Sequence, residues 1–329
     1  MSDNKVILVT GGAGYIGSHT AKALYNSGYT PVVVDNLSAG HRDVVKWGPF
    51  EEGDISDIEF MRGVLNKYKP AAVINFAAFI EVGESTINPA KYHVNNVAGT
   101  LTLLIAMKDC GVNKFVFSST CAIYGEPEKV PIAEDAKKGA LNPYGKTKHM
   151  VEMILEDFAK AYGLNYVALR YFNACGADPS GEIGERHHPE THLIPRALMA
   201  AAGRDSGLSL FGQDYPTPDG TCLRDYIHVN DLARAHVKAF EYLAQGGQSS
   251  SFNLGTGKGS SVKDIIAAVE SVTGRHVPVT VHPRRAGDSP ALVSDPTLIK
   301  EKLGFVTEWN SIEDIIASAW NFHRKQWGI

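Results

Sequence analysis

The fold is decided by the stretch Val6-Ile7-Leu8-Val9-Thr10-Gly11-Gly12-Ala13-Gly14-Tyr15-Ile16-Gly17. Its first five residues predict a buried parallel strand, because a strand covered on both faces shows no alternation of polar and apolar residues. The glycines at positions 11, 14 and 17 then turn the chain into a helix. They let the backbone approach a diphosphate at the free N–H groups of the helix N-terminus. A tight strand-to-helix turn without a ligand would show the same glycines, so the neighbouring sequence has to decide between the two.

A second apolar strand, Pro31–Val34, follows at once and ends in Asp35. At that place an acid holds the ribose hydroxyls of an adenine dinucleotide. The two strands and their helix therefore predict a dinucleotide-binding unit. A carboxylate would repel a 2′-phosphate, so NAD is favoured over NADP as the cofactor.

Alternating strands and helices predict an α/β fold with a Rossmann-type doubly wound parallel sheet. A chain of 329 residues exceeds the size at which single cores stop growing. We expect an NAD-binding Rossmann domain at residues 1–175 plus about 222–260. A smaller C-terminal α/β substrate lobe would comprise residues 176–221 plus about 261–329.

The composition excludes several classes of partner. A net charge of -4 gives no basic footprint, so neither nucleic acid nor an anionic membrane is expected to bind. The chain enters a strand by Val6, which leaves no room for a signal peptide, and no run of eighteen apolar residues occurs. The four cysteines show no CxxC spacing, which favours reduced thiols in a cytoplasmic protein. For His187, His188 and His192 we find no acid or cysteine at ligand spacing, and therefore expect no metal.

Hydroxyl side chains end the strand predicted at Lys114–Thr120. Ligands of doubly wound sheets bind beyond the carboxyl ends of the strands, so Ser118, Ser119 and Thr120 are predicted to face a cleft. For each hydroxyl alone, a cap on the next turn is the alternative. After the neighbouring strand Ala72–Phe76, the small residues Ala77 and Ala78 would let the backbone lie against the cofactor.

Tyr144 and Lys148 give the sharpest chemical signal. Asn142 and Pro143 form a good helix start, and residues four apart then project from one helix face. A lysine cation beside a tyrosine favours the phenolate and lowers the tyrosine pKa. Tyr144 is thus predicted to act as a general acid and base near neutral pH. The same spacing arises by chance on many helices, but here it follows a dinucleotide loop and a strand ending in hydroxyls.

Three further features leave alternatives open. Asp54 would either reach the adenine amino group or cap the helix Ile58–Tyr68. In a helix predicted at Pro89–Cys110, Asn95 or Asn96 would bond a nearby loop or the cofactor. One of Arg284 and Arg285 would face a diphosphate, or the two would form a solvated charge pair. The strand starting at Arg224–Val229 is predicted to return the chain to the sheet.

Taken together, these motifs resemble those of the UDP-glucose 4-epimerase family, within the extended short-chain dehydrogenase/reductase class. The resemblance covers essentially the whole chain. Its motifs are Thr10–Gly17 (TGGAGYIG), Val34–Leu37 (VDNL), Ser118–Thr120 (SST), Tyr144–Lys148 (YGKTK), Leu169–Asn173 (LRYFN), Arg224–His228 (RDYIH) and Arg284–Asp288 (RRAGD).

The resemblance implies a role for each matching residue. Tyr144 takes the proton from the sugar 4-hydroxyl, Thr120 hydrogen-bonds that hydroxyl, and Lys148 holds the nicotinamide ribose. The implied cofactor positions are Gly11, Gly14, Tyr15, Ile16, Gly17, Asp35, Asn36, Leu37, Ser38, Ala39, Gly40, Asp54, Ile55, Phe76, Ala77, Ala78, Ile80, Asn95, Thr120, Tyr144, Lys148 and Phe172. The implied UDP-sugar positions are Thr120, Tyr144, Asn173, His192, Leu193, Ser209, Leu210, Phe211, Arg224, Arg285, Asp288 and Leu292.

The family chemistry oxidises sugar C4 with a retained NAD, lets the 4-keto sugar turn over while its UDP stays anchored, and reduces it on the opposite face. The resemblance also implies a homodimer formed through the helices at Pro89–Cys110 and Tyr144–Tyr162, and a place in galactose metabolism.

Two positions depart from the family pattern. Ile80 stands where many members have a lysine, so one cofactor contact is expected to be missing. Leu292 occupies the position that gates sugar size, where a tyrosine restricts and a small residue admits N-acetyl sugars. We expect UDP-glucose and UDP-galactose as substrates first, with UDP-xylose/UDP-arabinose or UDP-N-acetylglucosamine as the alternative.

Two rival functions are disfavoured by particular residues. A 4,6-dehydratase would have Asp-Glu after Thr120, whereas this chain has Cys121-Ala122. A non-catalytic nucleotide-binding protein would typically have lost Tyr144 or Lys148, and both are present.

Overall fold

A computed structural model describes residues 5–285 and 288–329. The strands are β1 Val6–Thr10, β2 Thr30–Asp35, β3 Phe50–Glu52, β4 Ala72–Asn75, β5 Lys114–Thr120, β6 Asn165–Tyr171, β7 Asn173–Cys175, β8 Leu208–Phe211, β9 Leu223–Arg224, β10 Tyr226–His228, β11 Ser250–Leu254, β12 Ser260–Ser261, β13 Val279–His282 and β14 Ala291–Leu292. The helices are α1 Tyr15–Asn26, α2 Ile58–Tyr68, α3 Val82–Ile87, α4 Pro89–Tyr92, α5 Thr100–Asp109, α6 Pro143–Tyr162, α7 Leu193–Ala201, α8 Val229–Ala244, α9 Val262–Thr273, α10 Thr297–Leu303 and α11 Ile312–Trp327.

The central sheet has seven parallel strands among the described residues, in the order β3-β2-β1-β4-β5-β6-β11. Apolar layers cover both of its faces. Leu8 of β1 belongs to one buried cluster, while Ile7 and Val9 belong to the other. Double coverage is the reason why β1 shows no polar alternation. The predicted Rossmann-type doubly wound sheet is confirmed.

The helix predicted at Pro89–Cys110 is divided by a π-helical turn at His93–Gly99, between α4 and α5. Asn88 caps its start, with its side-chain oxygen accepting a hydrogen bond from the Lys91 N–H. Gly111, at φ +72°, follows its end. The wide turn contains Asn95 and Asn96, and such turns often occur at functional sites.

The residues Arg224–Val229 do not pair with the central sheet as predicted, but the helix α8 that follows them packs on it through Leu232 and Phe240. β9 pairs with β12 and β14, and β10 pairs with β7, so both lie in small separate sheets. Strand β11 rejoins the central sheet beside β6. Two-residue strands such as β9 carry too little pattern to predict their partners.

A third buried cluster joins α7, α9 and α11 with β8, and its members include Leu198, Leu208, Val269 and Ile316. This cluster shares no residue with the two layers on the central sheet. The division into two lobes at the stated boundaries stays a prediction. No helix within the described part of the chain has the length and hydrophobicity that a bilayer crossing demands.

Candidate active site

The glycine loop between β1 and α1 is packed too closely against backbone to hold side chains at Gly11 and Gly17. Gly11 has a left-handed φ of +72°, and a Cβ there would lie 2.5 Å from the Ala77 nitrogen. A Cβ on Gly17 would collide with the Gly11 carbonyl oxygen. Helix α1 begins after Gly14 without a side-chain cap. Its first N–H groups are therefore suited to a diphosphate, as NAD binding requires.

Asp35 lies beside this loop at the carboxyl end of β2. Its carboxylate accepts hydrogen bonds from the Ala13 N–H at 3.0 Å and from the Leu37 N–H at 2.8 Å. Burial raises the pKa of the Asp35 carboxyl, and the two backbone donors oppose that shift. These bonds connect Asp35 to the glycine loop and to the next segment of the chain. That segment contains the implied cofactor positions Asn36, Leu37, Ser38, Ala39 and Gly40.

Asp54 does not cap helix α2, so that alternative is wrong. The cap is Asp57, whose carboxylate accepts from the Glu59 and Phe60 N–H groups. Asp54 instead accepts a hydrogen bond from the Asn36 side chain at 2.7 Å and is followed by the buried Ile55. Its contact with the adenine amino group stays a prediction.

The segment after β4 is held by the π-helical turn. Asn96, 2% exposed, accepts from the Phe79 N–H at 2.9 Å and donates to the Phe79 carbonyl at 3.0 Å. Asn95 donates to Asn96 at 2.9 Å and stays half-buried. The expectation that one of the two amides bonds a nearby loop is confirmed for Asn96. Phe76, Ala77 and Ala78 are half-buried here, whereas Ile80 is exposed.

Tyr144, Lys148 and Thr120 come together where β5 ends against helix α6. Asn142 caps α6 and Pro143 is in its first turn, as predicted. The Lys148 Nζ lies 6.0 Å from the centre of the Tyr144 ring and donates to the Ser118 carbonyl at 2.8 Å. All three predicted catalytic side chains are buried.

The predicted pKa depression of Tyr144 is wrong for the protein without its ligands. Burial raises the Tyr144 pKa well above the usual range, while a hydrogen bond with Thr120 opposes the shift. Burial also lowers the Lys148 pKa to about 7. The physical reason is desolvation, which disfavours the charged form of each group.

Of the three hydroxyls that end β5, only that of Thr120 forms a hydrogen bond with Tyr144. Ser119 donates to the buried Glu152 carboxylate at 2.6 Å, and Ser118 bonds the Tyr171 hydroxyl. Glu152 forms a buried ion pair with Arg170. Ser118 and Ser119 therefore have structural partners, and the expectation that all three hydroxyls face the cleft is wrong for them.

An apolar wall lies next to Thr120. Phe172 and Cys121 belong to one buried cluster with Ile123 and Tyr124, and Leu292 packs against it. Leu292, the residue predicted to gate sugar size, thus lies close in space to the residues that follow Thr120. Asn173, which follows Phe172, starts β7 and donates its N–H to the Asp225 carbonyl at 2.9 Å.

The charged residues predicted to hold UDP form one continuous group. The Arg285 guanidinium lies 4.5 Å from the centre of the Phe211 ring and pairs with Asp288 at 3.1 Å. Arg224 lies 3.8 Å from the same Asp288 carboxylate. A stacked ring beside two cations matches a base and its diphosphate.

Not every predicted UDP-sugar residue has its side chain free to join this group. Ser209 is half-buried, but Leu210 is 2% exposed, which leaves only its backbone for a ligand. His192 precedes α7 and Leu193 begins it. Within the motif Arg284–Asp288, Ala286 and Gly287 lie outside the described residues. Arg284 pairs with Asp214 at 2.7 Å and Arg285 with Asp288, and both arginine side chains are exposed, so the contact of either with a diphosphate stays a prediction.

Two groups of residues escaped the sequence analysis. Asp225 is fully buried and accepts hydrogen bonds from Thr256, Gly257 and Ser294. These bonds hold the segment after β11 against the end of β9. Glu185 and Glu190 lie within ion-pair distance of His187 and His192. The premise that no acid accompanies these histidines is therefore wrong. Counting acids two to seven positions away would have found both.

Comparison with known proteins assigns the family. Residues 7–255 match the model of the NAD dependent epimerase/dehydratase family. A UDP-glucose 4-epimerase of Rhizobium leguminosarum bv. trifolii is 54% identical over 98% of both chains. The crystal structure of UDP-glucose 4-epimerase from Brucella ovis in complex with NAD is 56% identical, with a TM-score of 0.95 over 97% of this chain and 98% of that one.

A third relative was solved with a nucleotide sugar. It is the UDP-glucose-4-epimerase from Stenotrophomonas maltophila with bound NAD and formylated UDP-arabinopyranose, 40% identical, with a TM-score of 0.96 over 98% of this chain and 99% of that one. This chain belongs to the NAD dependent epimerase/dehydratase family. Among its members it is similar to UDP-glucose 4-epimerases, which confirms the resemblance drawn from the motifs and makes NAD the cofactor.

Proposed function

We propose that this protein interconverts UDP-glucose and UDP-galactose by oxidation and re-reduction at C4 of the sugar, and so serves galactose metabolism. The observation that carries the proposal is the group of Tyr144, Thr120 and Lys148 where β5 ends against α6. The similarity to named UDP-glucose 4-epimerases over nearly the whole chain supports the substrate pair.

NAD, when bound, supplies the reversible two-electron oxidation of C4. Tyr144 takes the proton of the 4-hydroxyl and later returns it, and Thr120 orients that hydroxyl. Burial raises the pKa of Tyr144. Formation of the phenolate near neutral pH therefore needs positive charges beside the ring. The Lys148 ammonium is on the same helix face, which suits this role.

The UDP end is proposed to stay anchored while the 4-keto sugar turns over. Arg224 and Arg285, which share Asp288, provide two positive charges for the diphosphate. Anchoring through remote groups leaves the reacting sugar free to present either face of C4.

The direct test follows UDP-glucose formation from UDP-galactose with purified protein and no added NAD. We expect product from the wild type and a loss of about 10²–10⁴-fold in Tyr144→Phe. Tyr162→Phe, at the exposed end of the same helix, is the matched control and should retain full activity. A wild type that converts UDP-xylose but not UDP-galactose would contradict the proposed substrate.

Sugar size is proposed to depend on Leu292. Because Leu292 packs against the cluster beside Thr120, it leaves less room than a small residue would. We expect weak or no turnover of UDP-N-acetylgalactosamine. Equal initial rates on this sugar and on UDP-galactose would refute the expectation.

A homodimer is proposed through the helices at Pro89–Cys110 and Tyr144–Tyr162, with Ile87 just before the first of them. Large apolar side chains are exposed there: Ile87 is 85% exposed, Val94 66% and Met153 55%. We expect a molar mass of two chains by light scattering and a monomer for Met153→Glu. Tyr25→Glu on α1, where the tyrosine is 57% exposed, is the control and should remain dimeric.

A cytoplasmic location is proposed on the state of the cysteines. All four, Cys110, Cys121, Cys175 and Cys222, are free thiols. Free thiols persist in reducing compartments. Secretion of the native protein into the medium would contradict this location.

A further inference from the structure

The geometry points to a divalent metal site of the zinc class at Glu185, His187, Glu190 and His192. One ligand atom from each of these four residues lies within 4.8 Å of all the others. Two imidazole nitrogens and two carboxylate oxygens form a donor set that tetrahedral Zn²⁺ accepts. The inference does not depend on the proposed reaction, because none of its steps needs a metal.

Four distances between histidine nitrogens and glutamate oxygens are close to the edge of a tetrahedron, with the two from Glu190 measured to its two different oxygens. The His187 Nδ1 is 3.2 Å from a Glu185 oxygen and 3.7 Å from a Glu190 oxygen. The His192 Nδ1 is 2.9 Å from Glu185 and 3.1 Å from Glu190. With Zn–N and Zn–O bonds of about 2.0–2.1 Å, the edges of a tetrahedron are about 3.3–3.4 Å. Small side-chain shifts would therefore complete the coordination.

The orientation of His187 gives an independent indication. Its Nδ1 atom is buried and has no hydrogen-bond partner among the residues that the structure describes. The nearby Glu185 oxygen is at ion-pair distance, but it does not satisfy hydrogen-bond geometry. Buried polar atoms without partners are costly and rare in native proteins. A cation at the centre of the group would satisfy this nitrogen.

The position of the group indicates a structural role for the metal. Residues 185–192 lead into α7 and also contact the nucleotide-binding loops. The Arg186 side chain pairs with Asp43 at 2.7 Å, and Thr191 donates to Glu81 at 2.8 Å. A metal would cross-link this segment while it bridges the cofactor side and α7.

The experiment is a metal titration of the untagged, chelator-treated protein that keeps its NAD. We expect one equivalent of Zn²⁺ or Co²⁺ to bind, with the visible absorption of tetrahedral Co²⁺. Failure of the wild type to bind either ion stoichiometrically overturns the inference, whatever the variants do.

Variants locate the site. Glu185→Gln and His187→Gln should each weaken Co²⁺ binding by more than about 100-fold, since loss of a hydrogen-bonded outer partner alone costs 10–100-fold. The matched control is His276→Gln, which removes an exposed histidine paired with Glu270 at 2.6 Å and should bind as the wild type does. Circular dichroism and NAD content verify that each variant is folded. Unchanged binding in both folded variants also overturns the inference.

Discussion

Replacing Glu152 by glutamine should destabilise the protein far more than removal of a surface ion pair. The Glu152 carboxylate is 3% exposed and accepts three hydrogen bonds from Arg170, at 3.0, 3.2 and 2.6 Å. It also accepts the Ser119 hydroxyl at 2.6 Å. Arg170, 5% exposed, has further acceptors only on its Nη1 atom, at Tyr124 and the Glu134 carbonyl.

The expected loss follows from what Arg170 would keep. A glutamine offers one oxygen and no charge, so a buried guanidinium would lose its counter-ion and one of its two carboxylate acceptors. Removing one partner of a buried ion pair costs about 3–5 kcal/mol, because the other charge stays desolvated. An exposed pair is worth only about 0.2–1 kcal/mol. Glu59, with a side chain that is 76% exposed, forms such a pair with Arg62 and provides the comparison.

The assay is urea unfolding of NAD-loaded protein, followed by circular dichroism. Glu152→Gln should lower the free energy of unfolding by about 3–5 kcal/mol, and Glu59→Gln by less than about 1 kcal/mol. Adding Arg170→Met to Glu152→Gln should recover part of the loss, since no charge is then stranded. If Glu152→Gln costs no more than Glu59→Gln, the buried pair does not stabilise the end of β5 and the reasoning is refuted.

Three further perturbations test the cofactor loop, the catalytic helix and the buried histidines. Gly17→Ala should strip NAD from the purified protein, because its Cβ collides with the Gly11 carbonyl; NAD released on denaturation measures this, and full retention would contradict it. Lys148→Met should lower kcat by about 100-fold or more, measured on UDP-galactose, and an unchanged kcat would exclude a role for this lysine on Tyr144. Burial lowers the His236 pKa to about 4 from an unfolded value of 6.5, so the unfolded state binds more protons and stability falls as pH drops from about 6.5 to 4. His236→Gln should flatten this pH dependence in urea unfolding, and an equally steep wild-type and variant curve would contradict the linkage.

Consecutive residues carried most of the fold. The bounds of β1, α2 and β5 followed from apolar runs and from breaks at glycine, proline and polar residues. The pairing of Tyr144 with Lys148 followed from helical spacing alone. These features are local, since strand and helix periods and caps act within a few residues.

Prediction from sequence was weakest for properties that depend on where a side chain points and on how deeply it is buried. The three hydroxyls of Ser118–Thr120 look alike in sequence, yet strand alternation and a buried Glu152 direct Ser119 away from the site. Likewise, the pKa of Tyr144 depends on desolvation by residues far along the chain, so helical spacing to Lys148 could not determine it.

The sequence by itself predicted the glycine loop, the doubly wound sheet and the proximity of Tyr144 and Lys148, because each depends on neighbouring residues. Only the tertiary structure decided which side chains from distant segments meet. It placed Phe211 against Arg285 and Arg224 near Asp288. It also packed Leu292 against the cluster that contains Phe172. Such contacts depend on the packing of many elements at once, and no short stretch of sequence encodes them.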